Sequence, residues 1–221
     1  MLKVNQLIGF GVGDAGGLTC TYGSQVHTES VGPQITMAGH TGLAASGYNV
    51  VCVVGRKSGA FSGSSCTIDG ISATQLSTQQ DTSNANCRIE FWIAASSGNT
   101  TGSVVFTWST TVNANSTYVA NWAITGTLSS PASKYASSVS NDNTGNYTLN
   151  LNVPVGGVVI AAVYRASGTG MTTWTGVNED VDSNAIEAGS IISVAGGTPL
   201  AVSAVKTSAQ TYEFAAAVSL N

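Results

Sequence analysis

Hydrophobic residues recur along this chain at every second position, in short runs. Residues 88–95 place Ile89, Phe91 and Ile93 on one side. Val104, Phe106 and Trp108 share a side in the next run, and Tyr118, Ala120, Trp122 and Ile124 in the one after. Tyr147, Leu149 and Leu151 follow, and Tyr212, Phe214, Ala216, Val218 and Leu220 close the chain. Successive side chains of a strand point to opposite faces, so each run predicts a strand with one face buried. Residues 49–54 and 158–164 are instead apolar on both faces, which predicts central strands covered on two sides. No long window carries apolar residues at i, i+3, i+4 and i+7, so no helix is predicted.

Clusters of turn residues separate the runs: Ser96-Ser97-Gly98-Asn99, Asn141-Asp142-Asn143-Thr144-Gly145 and Ala195-Gly196-Gly197-Thr198-Pro199. Gly and Asn supply the positive φ that tight turns need. The expectation is an all-β chain, an antiparallel β-sandwich of jelly-roll type with about a dozen strands. It occupies residues 48–221 as one compact unit. Residues 1–47 are richer in Gly and less periodic, and read as an N-terminal arm or a set of long loops. There is no clear internal repeat. Phe91, Phe106, Trp108, Trp122, Phe214 and Val218 are expected in the core.

Composition changes the picture of the surface. Of 221 residues, 43% are hydrophobic and only 8% charged, against roughly 25% charged in an ordinary soluble domain. Disordered chains are also polar but lack aliphatic and aromatic residues. Here the core is ample, and hydroxyls, amides and 26 Gly replace the missing charges. A surface so poor in charge suits a chain covered by other subunits, so a homo-oligomer is expected, with a trimer favoured. The net charge is −4 and Arg56-Lys57 is the largest basic cluster, which argues against nucleic acid as a partner. No window approaches the roughly 20 apolar residues of a membrane-spanning helix. Met1–Phe10 lacks the h-region and cleavage site of a signal peptide, so cytoplasmic synthesis is expected. Cys20, Cys52, Cys66 and Cys87 form no CxxC pair. Cys52 reads as a small core hydrophobe. Cys66 and Cys87 could face each other across strands, although a cytoplasmic chain disfavours a disulfide.

Candidate chemistry is sparse, and neither catalytic residues nor a cofactor are expected. Gly11-Val12-Gly13-Asp14-Ala15-Gly16 spells GxGxxG, but no helical sequence follows to hold a pyrophosphate, so it reads as a loop. Glu179, Asp180 and Asp182 could offer oxygens to a hard cation, yet they lack a calcium-loop pattern and read as a solvated loop. His27 and His40 are the only histidines, and Ser24 near them lacks the nucleophile-elbow pattern. Glu90 is the one tempting glycosidase carboxylate, more simply placed on a strand's solvent face. Trp108 and Trp122 are in phase with core positions. Trp92 is out of phase with Phe91 and Ile93, and Trp174 sits by a turn, so these two are the candidate ligand contacts.

Three stretches carry a resemblance. They are residues 157–164, Gly-Val-Val-Ile-Ala-Ala-Val-Tyr; residues 173–180, Thr-Trp-Thr-Gly-Val-Asn-Glu-Asp; and residues 214–220, Phe-Ala-Ala-Ala-Val-Ser-Leu. On these, about the last two-thirds of the chain resembles a group of phage and prophage virion-associated β-sandwich proteins. The resemblance implies a non-enzymatic particle component, a capsid decoration or a neck or tail appendage. Its partners would be a major capsid or tail protein and its location the virion. A carbohydrate-binding or host-adhesion module is the alternative.

Overall fold

The computed structural model describes residues 17–28, 32–57, 59–80, 87–113, 117–128, 134–139, 146–153, 156–165, 172–182, 186–192, 199–206 and 213–220. No helix occurs among them, and the sheets are antiparallel and not closed into a barrel. The strands are β1 (Thr19–Thr28), β2 (Gln34–Thr41), β3 (Tyr48–Arg56), β4 (Gly63–Ile68), β5 (Ile71–Ser72), β6 (Thr74–Gln80), β7 (Cys87–Ala95), β8 (Thr101–Trp108) and β9 (Thr117–Thr125). They continue with β10 (Lys134–Val139), β11 (Asn146–Asn152), β12 (Val158–Arg165), β13 (Thr172–Thr175), β14 (Asn178–Asp182), β15 (Ile186–Ile192), β16 (Pro199–Lys206) and β17 (Glu213–Leu220).

Four sheets result. An N-inner sheet has the order β1-β9-β3-β7-β6 and an N-outer sheet the order β2-β8-β4-β5. A C-inner sheet has the order β10-β17-β12-β15-β14 and a C-outer sheet the order β11-β16-β13. Three apolar cores lie between them. Ile35, Met37, Cys66, Val104 and Phe106 of the N-outer sheet meet Val51, Val53 and Trp92 of the N-inner sheet. Val50, Cys52, Phe91, Trp122 and Ile124, on the other face of the N-inner sheet, meet Val158, Ile160, Ala162, Val218 and Leu220 of the C-inner sheet. Val159, Ala161, Val163, Ala215 and Ala217 then meet Tyr147, Leu149, Val202 and Ala204 of the C-outer sheet. The layers therefore stack as N-outer, N-inner, C-inner, C-outer.

This stacking explains the two doubly apolar runs. β3 and β12 are the middle strands of the two inner sheets. Alternate residues of each feed different cores, so both parities must be apolar. Each Val or Ile among them, fully buried, contributes about 1.5–3 kcal/mol of transfer free energy.

The two halves repeat one topology. With the two-residue β5 set aside, β1, β2, β3, β4, β6, β7, β8 and β9 correspond in order to β10 through β17. The inner orders and the outer orders then coincide. The strand-ending turns share a Thr and a Gly at corresponding positions. Thr67-Ile68-Asp69-Gly70-Ile71-Ser72 corresponds to Thr173-Trp174-Thr175-Gly176-Val177-Asn178, with Gly70 at φ 80° and Gly176 at φ 86°. Both glycines take the left-handed conformation that a Cβ disfavours. Across the central interface β1 lies against β15 and β10 against β6, and the end of β12 at Tyr164 meets Arg56 and Cys87. Each half's first strand thus crosses the far side of the other half's inner sheet, an internal pseudo-two-fold arrangement.

Several expectations change. The described part of the segment expected as an arm contains two full strands, paired to β9 and β8 respectively. The described residues form 17 strands. Phe91, Phe106, Trp108, Trp122 and Val218 are buried as expected, while the side chain of Phe214 and the Gly11–Gly16 loop lie outside what is described. Cys66 and Cys87 occupy different cores, and none of the four cysteines is in a disulfide.

Candidate functional site

The polar groups with chemistry to offer are concentrated at the two margins of the layer between the N-inner and N-outer sheets. One margin is built by two bulges. The β1–β9 register slips between Tyr22 and Gln25, and the β2–β8 register between Met37 and His40. A bulge re-aims side chains, and here the pair turns Ser24 and His40 toward Asn121 of β9. Asn121 Oδ1 accepts from Ser24 N (3.1 Å), Ser24 Oγ (2.9 Å) and His40 Nδ1 (2.9 Å). Its amide nitrogen donates to Thr41 O at 3.2 Å. A Cβ on Gly23 would stand 2.2 Å from that nitrogen and 2.5 Å from Thr41 O, so only glycine permits the approach.

The network assigns the histidine tautomer. Asn121 presents an oxygen to Nδ1, so Nδ1 carries the proton and Nε2 is a bare acceptor. His40 is fully buried and its Nε2 has no partner among the described residues. Burial pushes its pKa down, partly offset by the bond to Asn121. Ser24 Oγ lies 3.3 Å from the same Nδ1 that faces Asn121. A nucleophile–base–orienter relay uses both ring nitrogens. Here both neighbours crowd one nitrogen, so the cluster is a structural hub, not a relay. His27 stands apart, stacked on Tyr118 with ring centroids 4.3 Å apart.

The opposite margin centres on Glu90 of β7, which is fully buried, contrary to the solvent-face expectation. Its Oε1 accepts from Arg88 Nε (2.5 Å), Gly63 N (2.8 Å) and Thr78 Oγ1 (3.3 Å), and Oε2 from Gln75 Nε2 and Trp92 Nε1 (3.0 Å each). The donors come from β4, β6 and β7. The carboxylate therefore ties a strand of the N-outer sheet to the edge of the N-inner sheet. With five donors its lone pairs are occupied, and a general acid or base needs one facing a substrate. The neighbouring Cys66 thiol is pushed up to about 12 by burial, with the Glu90 charge adding to it, and so is inert as a nucleophile.

The two candidate ligand tryptophans part company. Trp92 is 6% exposed and packs edge-on against Phe106, so it offers no open stacking surface. Being out of phase with Phe91 placed it in a second core instead of in solvent. Trp174 is half-buried against the C-outer core, its indole N–H without a partner among the described residues. Asp180 is also half-buried and accepts from Trp122. Among the described residues no three His, Cys, Asp or Glu side chains gather as a metal site. No family model, curated protein or solved structure matches this chain.

Proposed function

We propose that the chain is a non-catalytic structural subunit of a bacteriophage particle that acts by docking on capsid or tail protein. In this reading each half is a jelly-roll-type sandwich, with its strands ordered 1-9-3-7-6 against 2-8-4-5 in the first half. Double-sheet jelly rolls recur in viral capsid and lectin domains, an analogy of fold and not of site. The observation that carries the reading is the stack itself. Four sheets share three dry cores, and the buried polar groups Asn121 and Glu90 are spent on holding layers together. Such a body is a rigid block with uncharged outer faces. The resemblance of residues 173–180 to virion-associated proteins agrees with it, since Gly176 and Val177 form a turn and core contact there.

Trp174 supports a second reading, a host-adhesion or carbohydrate-binding module. Its ring is half-buried between the exposed Thr173 and Thr175. The deciding experiment is mass spectrometry and antibody labelling of gradient-purified particles. The chain is expected in them at fixed stoichiometry, and its absence overturns the virion reading. Glycan-array binding abolished by Trp174→Ala would establish the second.

A further inference from the structure

We propose that Asp69-Gly70 is a latent backbone-modification site, and that Ser97 and Asn99 form a clamp that keeps it from turning into isoaspartate. Asp69-Gly70 is the chain's single Asp-Gly pair, and no Asn-Gly pair occurs. The two residues are the whole connection between β4 and β5, whose ends pair as Ile68 with Ile71. Both carry positive φ, 47° at Asp69 and 80° at Gly70. This is the tight two-residue hairpin turn that favours Asp-Gly. Among the described residues Asp69 is the one non-glycine with positive φ. The pair that suits the turn is also chemically exposed. A glycine after aspartate has no side chain to screen its backbone nitrogen from the carboxyl group.

The reaction is intramolecular and needs no partner but water. Gly70 N attacks Asp69 Cγ. The N–Cγ bond forms, the amide proton is lost, and one carboxyl oxygen leaves as water. The product is a cyclic imide that joins both Asp69 C and Asp69 Cγ to Gly70 N. Water then opens one of two bonds. Breaking Cγ–N restores aspartate. Breaking C–N leaves the chain running through Cγ, which is isoaspartate, of unchanged mass and with one more backbone atom.

The structure opposes the first step at several points. Asp69 Oδ2 accepts from Ser97 Oγ at 2.6 Å and from Asn99 Nδ2 at 2.7 Å, which draws the carboxylate toward the loop between β7 and β8. The side chain lies against Gly102, where a Cβ would stand 2.6 Å from Oδ1 and 2.7 Å from Cγ. Asp69 N donates to Ser103 O at 2.7 Å, which fixes the backbone beside the same segment. Cγ can turn its face to Gly70 N only after both side-chain hydrogen bonds break. Those bonds, that from Ser97 first, also hold the carboxyl below its ordinary pKa. The departing oxygen must leave as water, so the neutral acid is the reactive form, and the clamp keeps it scarce. The corresponding turn of the second half has Thr175 before Gly176 and cannot cyclise in this way.

The inference is independent of any role in a particle. The test is ageing of the full chain at mildly acidic pH and body temperature. Peptide mapping then separates aspartate from isoaspartate at residue 69, with isoaspartyl methyltransferase labelling as a second readout. Wild type kept in urea gives the unclamped rate, and the folded wild type is expected to convert far more slowly. Ser97→Ala and Asn99→Ala should each convert faster than the wild type. Together they should do so by at least about fivefold, the factor that one net hydrogen bond supplies. Ser97→Thr keeps the hydroxyl and should stay near the wild type. Asp180→Ala loosens the central core instead of the turn, and should also age as the wild type does. The single variants keep the test open if the double one does not fold. A folded wild type that converts as fast as in urea overturns the proposal. So does a double variant no faster than the wild type, or an Asp180→Ala chain accelerated as much as the clamp variants.

Discussion

The indole N–H of Trp122 donates to Asp180 Oδ2 at 2.7 Å, across the boundary between the two halves of the chain. Trp122 is fully buried in β9, and Asp180 belongs to β14. Tyr22 packs edge-on against the same indole at 5.9 Å. Its hydroxyl pKa is raised by burial first and by the Asp180 charge second. One carboxylate thus satisfies the only polar atom of the largest side chain in the central core.

Asp180→Ala is expected to destabilise the protein by about 1.5–3 kcal/mol, the size of a hydrogen bond to a charged group. Trp122→Ala should cost more, about 3–5 kcal/mol, because it also opens a cavity. Urea unfolding monitored by circular dichroism checks both. A loss under about 1 kcal/mol for Trp122→Ala would mean the central core closes around the gap.

Glu90→Ala removes the acceptor of Arg88 Nε, the Trp92 indole N–H and the Gly63 amide together, while Arg88 Nη1 keeps Phe61 O. Removing one partner of a buried ion pair costs about 3–5 kcal/mol. Glu90→Gln keeps an acceptor oxygen and should cost clearly less. If the two variants proved equal in denaturant midpoint, the charge would be the whole contribution and the hydrogen bonds none of it.

His40 makes stability depend on pH in a defined sense. Burial lowers its folded pKa below the 6.5 of the unfolded chain, so the unfolded state binds the proton first. Its contribution is present above about pH 6.5 and is lost as pH falls below that value, until the folded pKa is reached. One proton sets a ceiling of about 1.4 kcal/mol per pH unit. Urea midpoints at several values from pH 7.5 to pH 5 should fall for the wild type and fall less for His40→Gln. Parallel curves would assign the dependence to other groups.

What could be read from sequence follows from which signals are local. Val50 to Val54 and Val158 to Tyr164 announced central strands because two cores demand apolar residues at both parities. The same logic defeated the reading of Trp92 and Glu90. Out of phase with Phe91 meant the other interior, not solvent, once a sheet lay on each side. Glu90 is buried because Gly63, Gln75 and Thr78 converge on it, and no spacing rule reveals that convergence. β1 and β2 are not legible in sequence because the bulges at Gly23-Ser24 and Ala38-Gly39 break period two. The duplication is hidden in the sequence because strand order repeats while residues do not: Trp122 of β9 has small or aliphatic residues in the matching stretch of β17. At the turns of Gly70 and Gly176, where backbone geometry restricts the choice, both halves keep the glycine.

The duplication predicts how the chain responds to cleavage. Between β9 and β10 the chain passes from one half to the other, and nothing else covalent joins them, since none of the four cysteines is in a disulfide. The central core is shared: Leu18, Trp122 and Ile124 from the first half pack with Val158, Ile160 and Val218 from the second. Leu18 N also donates to Gly156 O at 3.1 Å. Inner faces this apolar cannot be left in water without a large transfer cost. A protease site inserted after Leu128 and cut in the folded protein should therefore yield two fragments that still elute together on gel filtration. They should part only in denaturant. Separation under native conditions would show that each half buries its inner face by itself, and the pseudo-two-fold stack would lose its role as the body of the molecule.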